Sequence, residues 1–510
     1  MMVFVDGSPL TIDEVVAVAY KQATVAAGPE LAARMAPARE LVQRVIAENQ
    51  IVYGITTGFG ALSNTRIPTE RASELQYDLI RSHASGVGPL LEPAIVRAML
   101  LCRARTLAQG YSGVRVEIVE RLIDMLNANI LPAVPSQGSV GASGDLAPFA
   151  HLALPLIGEG LVLTDHGTEP ATDALRRAGW EPLHLEPKEG LSLLNGTEGM
   201  LAHGCIAVHR ARHLIDAADG ACALSVEALR GSSRPFDPRI HTLRPHPGQA
   251  VSAARIAALL AGSEIDASHH DDFAHKVQDA YSLRCAPQVH GAVRDTVDHA
   301  AAIFTRELGS IVDNPIVFAD DEEFVSAGNF HGQPLAFALD FLAIAVTEIG
   351  SISERRTDRL LDPDRSWGLT PFLATEPGVS SGYMITQYTA AAIVAENRVL
   401  SHPASVESIP TSGLQEDHVS MGWGAARKLD QVITNTERVV AVELMCASQG
   451  VEQRPRNPAP GTARVRDEVR SVCPPLVEDR PPGPDIERIA TLIGEGAFAF
   501  PLSEIAREER

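Results

Sequence analysis

Apolar residues along this chain recur every three or four positions far more often than at alternate positions, and that spacing predicts helices. Residues 12–48 read as helices broken at Gly28-Pro29, and residues 92–128 keep helical spacing until Pro132 approaches. Residues 129–148, rich in Gly, Pro and Ser, read as loop. Residues 159–190 mix Gly and Pro with short β-type runs and read as a surface excursion. In the second half, Pro334 stands where a first helical turn accepts proline, and the pattern continues to Leu361. Further helices are predicted from about Tyr383 to Leu400 and from Val419 to Gln449. In the last of these, Leu429, Val432, Ile433, Val439, Val440, Leu444 and Met445 recur at helical spacing. At 1.5 Å per residue it runs roughly 45 Å, longer than a small domain is wide. Helices of that length lie in bundles, often shared between subunits. The Pro- and Arg-rich tail from Arg454 to Pro484 reads as irregular, before a final short helix. The pattern predicts a mainly α fold, with no internal repeat and no low-complexity tract.

Composition narrows the function. The 510 residues are 45% hydrophobic and 21% charged, an ordinary globular balance long enough for two to four domains. Lys and Arg number 43 against 64 Asp and Glu, a net charge of −21, which disfavours a phosphate backbone as partner. No basic run suggests a membrane surface, and no basic n-region precedes the early apolar run that Asp6 interrupts, so no secretory signal is expected. No stretch approaches the roughly 18 apolar residues of a membrane span. The six cysteines, Cys102, Cys205, Cys222, Cys285, Cys446 and Cys473, form no CxxC pair, so neither a zinc site nor a disulfide framework is indicated. A reduced, cytoplasmic protein is expected.

The most informative segment is Gly138-Ser139-Val140-Gly141-Ala142-Ser143-Gly144-Asp145-Leu146. Its glycines allow a tight backbone. A turn before a helix near Asp145 accounts for it simply. A nucleophilic serine does not, because the G-x-S-x-G spacing is absent. A third reading uses the residue types in order. In a tightly bent loop the amide nitrogen of Gly144 attacks the carbonyl carbon of Ala142, and loss of water closes a five-membered ring. Loss of the Ser143 hydroxyl as a second water leaves an exocyclic methylene. The product is 4-methylideneimidazole-5-one (MIO), an electrophile made from the chain itself. Three residues alone do not choose among these readings.

The wider chain does. It resembles the aromatic amino acid ammonia-lyase family through Tyr53-Gly54-Ile55-Thr56-Thr57-Gly58-Phe59-Gly60, Ser82-His83, the run Gly141 to Pro148, and Leu194-Asn195-Gly196-Thr197. The resemblance continues in Gln278 to Cys285, Asp313-Asn314-Pro315, Gly328-Asn329-Phe330-His331-Gly332 and Gln415 to Met421. It implies an aspartase/fumarase-like long-helix bundle over residues 195–510, preceded by a mostly helical domain, 1–194, carrying the Tyr53 and MIO loops. It implies a homotetramer whose active sites are shared between subunits, and a carbon–nitrogen lyase needing no diffusible cofactor and no metal.

Roles follow from the same resemblance. Tyr53 is the base for the β-proton; its ordinary pKa of about 10 must be tuned, and a cation such as Arg284 would lower it. Arg284 has the planar fork that suits a carboxylate, and Tyr281, three residues earlier, shares its helix face and would assist proton handling. Asn195 faces the MIO ring and the substrate amine, Phe330 shapes the ring site, and Asp145 supports MIO formation. His83, Glu416, Gln278 and Met384 fit the branch that acts on L-histidine, giving trans-urocanate, because a carboxylate can accept an imidazole N–H. Tyrosine or phenylalanine lyases, or aminomutases of the same family, are the nearer alternatives, and a silent helical scaffold the remoter one. Thr56 and Leu414 depart from the common family residue, Asn, and bear on fine specificity. His269-His270-Asp271-Asp272 looks metal-like, but neighbours in a helix cannot all face one ion, so no metal site is expected there.

Overall fold

The computed structural model describes residues 1–62, 65–267 and 277–505. It is mainly helical, with four two-stranded sheets among the described residues. Two compact units make up the chain. One comprises Met1–Ile206, Ala301–Asp340 and Pro403–Arg427; the other comprises Ala207–Ala300, Phe341–His402 and Lys428–Arg510. The division expected at residue 194 is contiguous, whereas each of these units gathers three separate segments. Four of the five changeovers fall inside the helices Glu198–Ala228, Ala286–Glu307, Gln333–Leu361 and Gly422–Glu452; the fifth, after His402, follows helix Met384–Leu400.

In the first unit, the helix Pro93–Ala108 is buried at every position from Ile95 onward, three arginines included. Buried guanidinium groups are tolerated only where their donors find acceptors. Arg97 donates to the carbonyls of Val18 (2.8 Å) and Leu126 (3.0 Å), near the ends of helices Ile12–Ala19 and Val116–Ala128, where carbonyls lack intrahelical partners. Arg105 reaches Ser8 (3.1 Å) and Ser310 (2.8 Å). Arg103 donates to Ser192 (3.2 Å) and Asn195 (2.9 Å), pairs with Glu198 at 2.9 Å, and lies 4.2 Å over the Phe149 ring. The second unit also holds buried ion pairs: Arg356 with Glu443, and Asp219 with His290 and Arg294.

The structure departs from the sequence pattern in four places. Thr24–Ala27, inside the expected 12–48 helices, is a strand parallel to Met2–Val5, where β-branched Thr24 and Val25 pair with a distant strand. Helix Glu198–Ala228 was not legible because most of its faces are buried, leaving no polar stripe to mark a period. The tail expected to be irregular contains helix Pro460–Val472. Its buried face is only Gly461, Thr462, Val465 and Val469, set among charged residues. Gly461 allows close packing there, since a Cβ would lie 2.8 Å from Leu259 Cα. Finally, Gln333–Leu361 holds an 18-residue window of mean hydropathy 1.8, long and apolar enough to cross a membrane, although no long uninterrupted apolar run is visible. Isolated residues such as Asp340 break the run without removing the helix's apolar character, and 67% of the window is buried within the protein.

All six cysteines are unpaired, and burial pushes the Cys102, Cys222 and Cys446 thiols up to about 12. Such thiols are poor nucleophiles.

Candidate active site

The Gly138–Leu146 loop is pressed from two sides. On one side, Gly196 N–H donates to the Ser143 carbonyl (3.3 Å) and Asp145 N–H donates to the Gly196 carbonyl (2.8 Å). Gly144 has φ +69°, and a Cβ there would lie 1.9 Å from the Gly196 oxygen, so no other residue fits. On the other side, Met421 N–H donates to the Val140 carbonyl (2.9 Å) and the Ser420 hydroxyl to the Gly141 carbonyl (3.0 Å). The Ser143 hydroxyl donates to Asn195 Oδ1. A tight loop, an unhindered Gly144 nitrogen and a small Ala142 are what ring closure from Ala142-Ser143-Gly144 requires, and the residues present fit that group.

Asp145 is fully buried at the start of helix Leu146–Ala153, yet it does not cap that helix. Its carboxylate accepts instead from Met200 N–H (2.8 Å), in the first turn of helix Glu198–Ala228. Burial raises its pKa to about 7.

A cavity of about 450 Å³ opens beside the loop, lined by Tyr53, Phe59, His83, Ser143, Leu191 and Glu416 among others. A second, of about 220 Å³, shares Ser82, His83, Leu146 and Glu416 with it and reaches Ala142, Gly144 and Thr411. Tyr53, on its Gly-rich turn, accepts a long hydrogen bond from Gly60 N–H (3.4 Å). Burial raises the Tyr53 pKa and the Glu416 charge adds to the rise; Arg284, expected to lower it, is not among the groups acting on it. His83 Nδ1 lies 2.9 Å from the Leu79 carbonyl, which can only accept. The ring proton therefore sits on Nδ1, and Nε2 is left as an acceptor. Burial lowers the His83 pKa, favouring this neutral form. Glu416 accepts from the Thr411 hydroxyl at 2.7 Å through Oε2.

The first unit thus brings Tyr53, His83, Ala142, Ser143, Gly144 and Glu416 to adjoining cavities, with Asn195 hydrogen-bonded to Ser143 behind them. Phe330 belongs to the same unit but lines neither cavity. Gln278, Tyr281, Arg284 and Met384 belong to the second unit. There the Arg284 guanidinium stacks 4.6 Å over the Tyr281 ring, as their three-residue spacing predicts, and Arg284 Nε donates to the Asp279 carbonyl (3.0 Å). Met384 opens helix Met384–Leu400. Thr56 points into its own loop, bonding the Gln50 carbonyl (2.7 Å) and Val52 N–H (2.9 Å), and Leu414 is 72% exposed; neither lines these two cavities. Among the described residues no cluster of three His, Cys, Asp or Glu is placed to hold a metal ion, and His269-His270-Asp271-Asp272 lie outside those residues.

Several contributors carried no role in the sequence reading. Thr411 stands five residues before Glu416, a signal visible only once the turn between them is known. Lys188, whose Nζ lies 3.0 Å from the Asp313 carboxylate that holds Asn195, had no signal at all. Asp313 lay within a recognised motif without a function attached.

The chain is similar to known proteins along almost its whole length. A sequence model of the family described as aromatic amino acid lyase matches residues 10–471. A histidine ammonia-lyase of Gloeobacter violaceus is 50% identical over 96% of this chain and 95% of its own length, and one of Sorangium cellulosum is 50% identical over 98% of each. The crystal structure of histidine ammonia-lyase from Trypanosoma cruzi superposes with a TM-score of 0.90 at 44% identity, covering 100% of this chain and 96% of that one. The tyrosine aminomutase of Streptomyces globisporus superposes at 0.92 with 41% identity, over 100% and 99%. On its full-length match, and on a fold shared with solved relatives, this chain belongs to the aromatic amino acid lyase family.

Proposed function

We propose that the protein is an L-histidine ammonia-lyase, eliminating ammonia from L-histidine to give trans-urocanate. The observation that carries this reading is the convergence of a compressed Ala142-Ser143-Gly144 loop with His83 and Glu416 on adjoining cavities. Curated relatives half identical to the chain along almost its whole length bear that name. The fold alone does not discriminate, since aminomutases share it.

The MIO ring that Ala142, Ser143 and Gly144 would form supplies the electrophile that makes an amine a leaving group. The chain's own residues do the rest. Glu416, held through Oε2 by Thr411, keeps its other oxygen for an imidazole N–H, while neutral His83 offers Nε2 as an acceptor. Asn195 presents Oδ1 toward the loop, where a substrate ammonium would find an acceptor. Arg284 would clamp the substrate carboxylate, with Tyr281 beside it; Gln278, Phe330 and Met384, which line neither cavity in the single chain, would complete the ring wall in the assembled protein. Tyr53 removes the β-proton as phenolate. Its pKa is raised in the single chain, so its base form calls for a cation, and the arrangement we propose supplies Arg284 from another subunit of a homotetramer. The exposed Phe337, Phe341 and Ile344 on helix Gln333–Leu361, each more than 40% exposed, support such assembly. The reading includes a cytoplasmic location, which unpaired thiols fit.

The test is incubation with L-histidine while following urocanate absorbance, with L-tyrosine and L-phenylalanine alongside, and the intact mass of the protein. Histidine should be preferred by roughly 10⁴-fold or more in kcat/KM. The peptide containing Ser143 should be lighter than encoded by two waters. Comparable turnover of tyrosine would assign the chain to another branch, and a β-amino acid product would make it an aminomutase.

A further inference from the structure

Behind Asn195 lies a charged assembly completely closed to solvent. Lys188, Ser192 and Asp313 are each 0% exposed, and Asn195 is 1% exposed. Asp313 Oδ2 accepts from Lys188 Nζ (3.0 Å) and from the Ser192 hydroxyl (2.9 Å). Its Oδ1 accepts from Asn314 N–H (2.7 Å) and from Asn195 Nδ2 (3.1 Å). A second Asn195 N–H goes to the Asn314 carbonyl (3.2 Å). Burying an ion pair this deeply does little for stability on its own account, because desolvation offsets the attraction. Its geometry does something else.

An asparagine side chain can turn by 180°, exchanging donor for acceptor with almost no change of shape. Here both groups behind the amide, an ionised carboxylate and a backbone carbonyl, can only accept. They take the NH2 end, and Oδ1 must then face Ser143. The carboxylate has to stay ionised for this to hold, since a protonated Asp313 would become a donor. Burial pushes the Asp313 pKa up, but the Lys188 ammonium and the surrounding hydrogen bonds outweigh it, so the group remains an acceptor.

We infer that the buried Lys188–Asp313 pair is a positioning device: it locks the amide of Asn195 with its oxygen toward Ser143, and so fixes an acceptor for the substrate's ammonium group. Lys188 and Asp313 act through Asn195 and need touch no substrate. The inference rests on the lyase reading for the identity of that ammonium.

Two charge-neutral double variants separate positioning from mere support. Lys188→Met with Asp313→Asn removes both charges but still lets an amide oxygen face Asn195 Nδ2. Lys188→Met with Asp313→Leu removes both charges and the acceptor. Each is placed in a Ser143→Ala background, which cannot form the electrophile, and binding is measured by calorimetry. The ligands are L-histidine and imidazolepropionate, which has the ring and carboxylate but no amine. The Leu form should bind L-histidine roughly tenfold or more weaker than its Ser143→Ala parent, while the Asn form stays within about threefold. Imidazolepropionate should bind all three alike. In the Ser143 background, kcat per dehydrated loop, counted by mass, should drop roughly 100-fold in the Leu form only. Equal binding of L-histidine by the Leu form and its parent would overturn the proposal, as would equal losses for both ligands. If the Leu form does not fold, Asp313→Asn alone makes the test. Lys188 then claims the new amide's oxygen, turning its nitrogen on Asn195, and unchanged histidine binding would overturn the proposal. A parent that binds imidazolepropionate but not L-histidine overturns it too, whereas one that binds neither sinks the substrate reading.

Discussion

Asn195 is 1% exposed and gripped from behind by Asp313 and the Asn314 carbonyl; Tyr281, assigned to the same chemistry, is 71% exposed with the Arg284 guanidinium stacked on its ring. The contrast extends to their neighbours. Ser143, Asp145 and His83 each have their orientation set by hydrogen bonds within one compact unit. Gln278 is exposed, and Val277 beside it is wholly so. The buried set is held by bonds within its own unit, whereas the exposed set is held only by its immediate neighbours. On the function proposed above, the electrophile-forming half of the chemistry would be built into the fold of one chain, and the carboxylate-binding half would be completed by assembly.

The largest effect should come from the finished half. Ser143→Ala should remove the two-water mass loss and lower kcat by roughly 10³-fold or more, with thermal stability hardly changed. Wild-type turnover in that variant would detach the loop from the chemistry altogether.

The exposed half is tested by mixing. Tyr53→Phe and Arg284→Ala should each lose roughly 10²–10⁴-fold in kcat/KM. Co-assembled from denatured or co-expressed chains, the two should regain part of the activity, because some sites would then combine an intact Tyr53 with an intact Arg284. No recovery in verified mixed oligomers would place both groups in the same chain.

Glu416→Gln should follow, lowering kcat/KM for histidine by roughly 10²-fold, as expected for a charged hydrogen-bond partner in a closed site. Thr411→Val should do less, about three- to tenfold, by freeing the Glu416 carboxylate to wander. Steady-state kinetics on both variants settle the order; a larger loss at Thr411 than at Glu416 would break it.

Asp145 gives the smallest effect and a sign that can be checked. Its pKa is raised from 3.8 to about 7 in the folded chain, so between those values the folded state holds a proton that the unfolded chain releases. Stability from this group is complete below about pH 4 and is lost as pH rises through 7. In Asp145→Asn that decline should vanish from Tm measured against pH, since the amide oxygen can still accept from Met200. An unchanged pH slope would show that Asp145 is ionised throughout.

The long helices were legible because their apolar positions keep a period: Met384–Leu400 lies where the pattern set it, and Gly422–Glu452 starts three residues later than expected. Glu198–Ala228 was not legible, because burial all round erases the contrast that periodicity needs. The loop glycines were legible as a tight turn, but the reason Gly144 must be glycine lies in Gly196, more than fifty residues on. His83 and Glu416 could be singled out from their motif, and both line the cavities beside the loop. The tautomer of His83 could not, since the Leu79 carbonyl that sets it is a backbone atom, silent in the sequence. Lys188 was invisible for a related reason: a lone lysine after proline reads as surface until a carboxylate 125 residues away buries it.

Helix Pro93–Ala108 has a further consequence for how the site comes into being. Its arginines hold carbonyls from Ser8, Val18, Leu126, Ser192, Asn195 and Ser310, segments scattered over three hundred residues. Apart from the Leu126 tie to the next helix, these bonds close loops of about 80 residues or more and do not form early by local chain encounter. The Asn195 segment can be seated only after that helix is docked. Its amide protons should therefore exchange with solvent through large cooperative openings of the first unit rather than through local fraying. The loop beside it would then begin its dehydration only in a chain that has nearly finished folding.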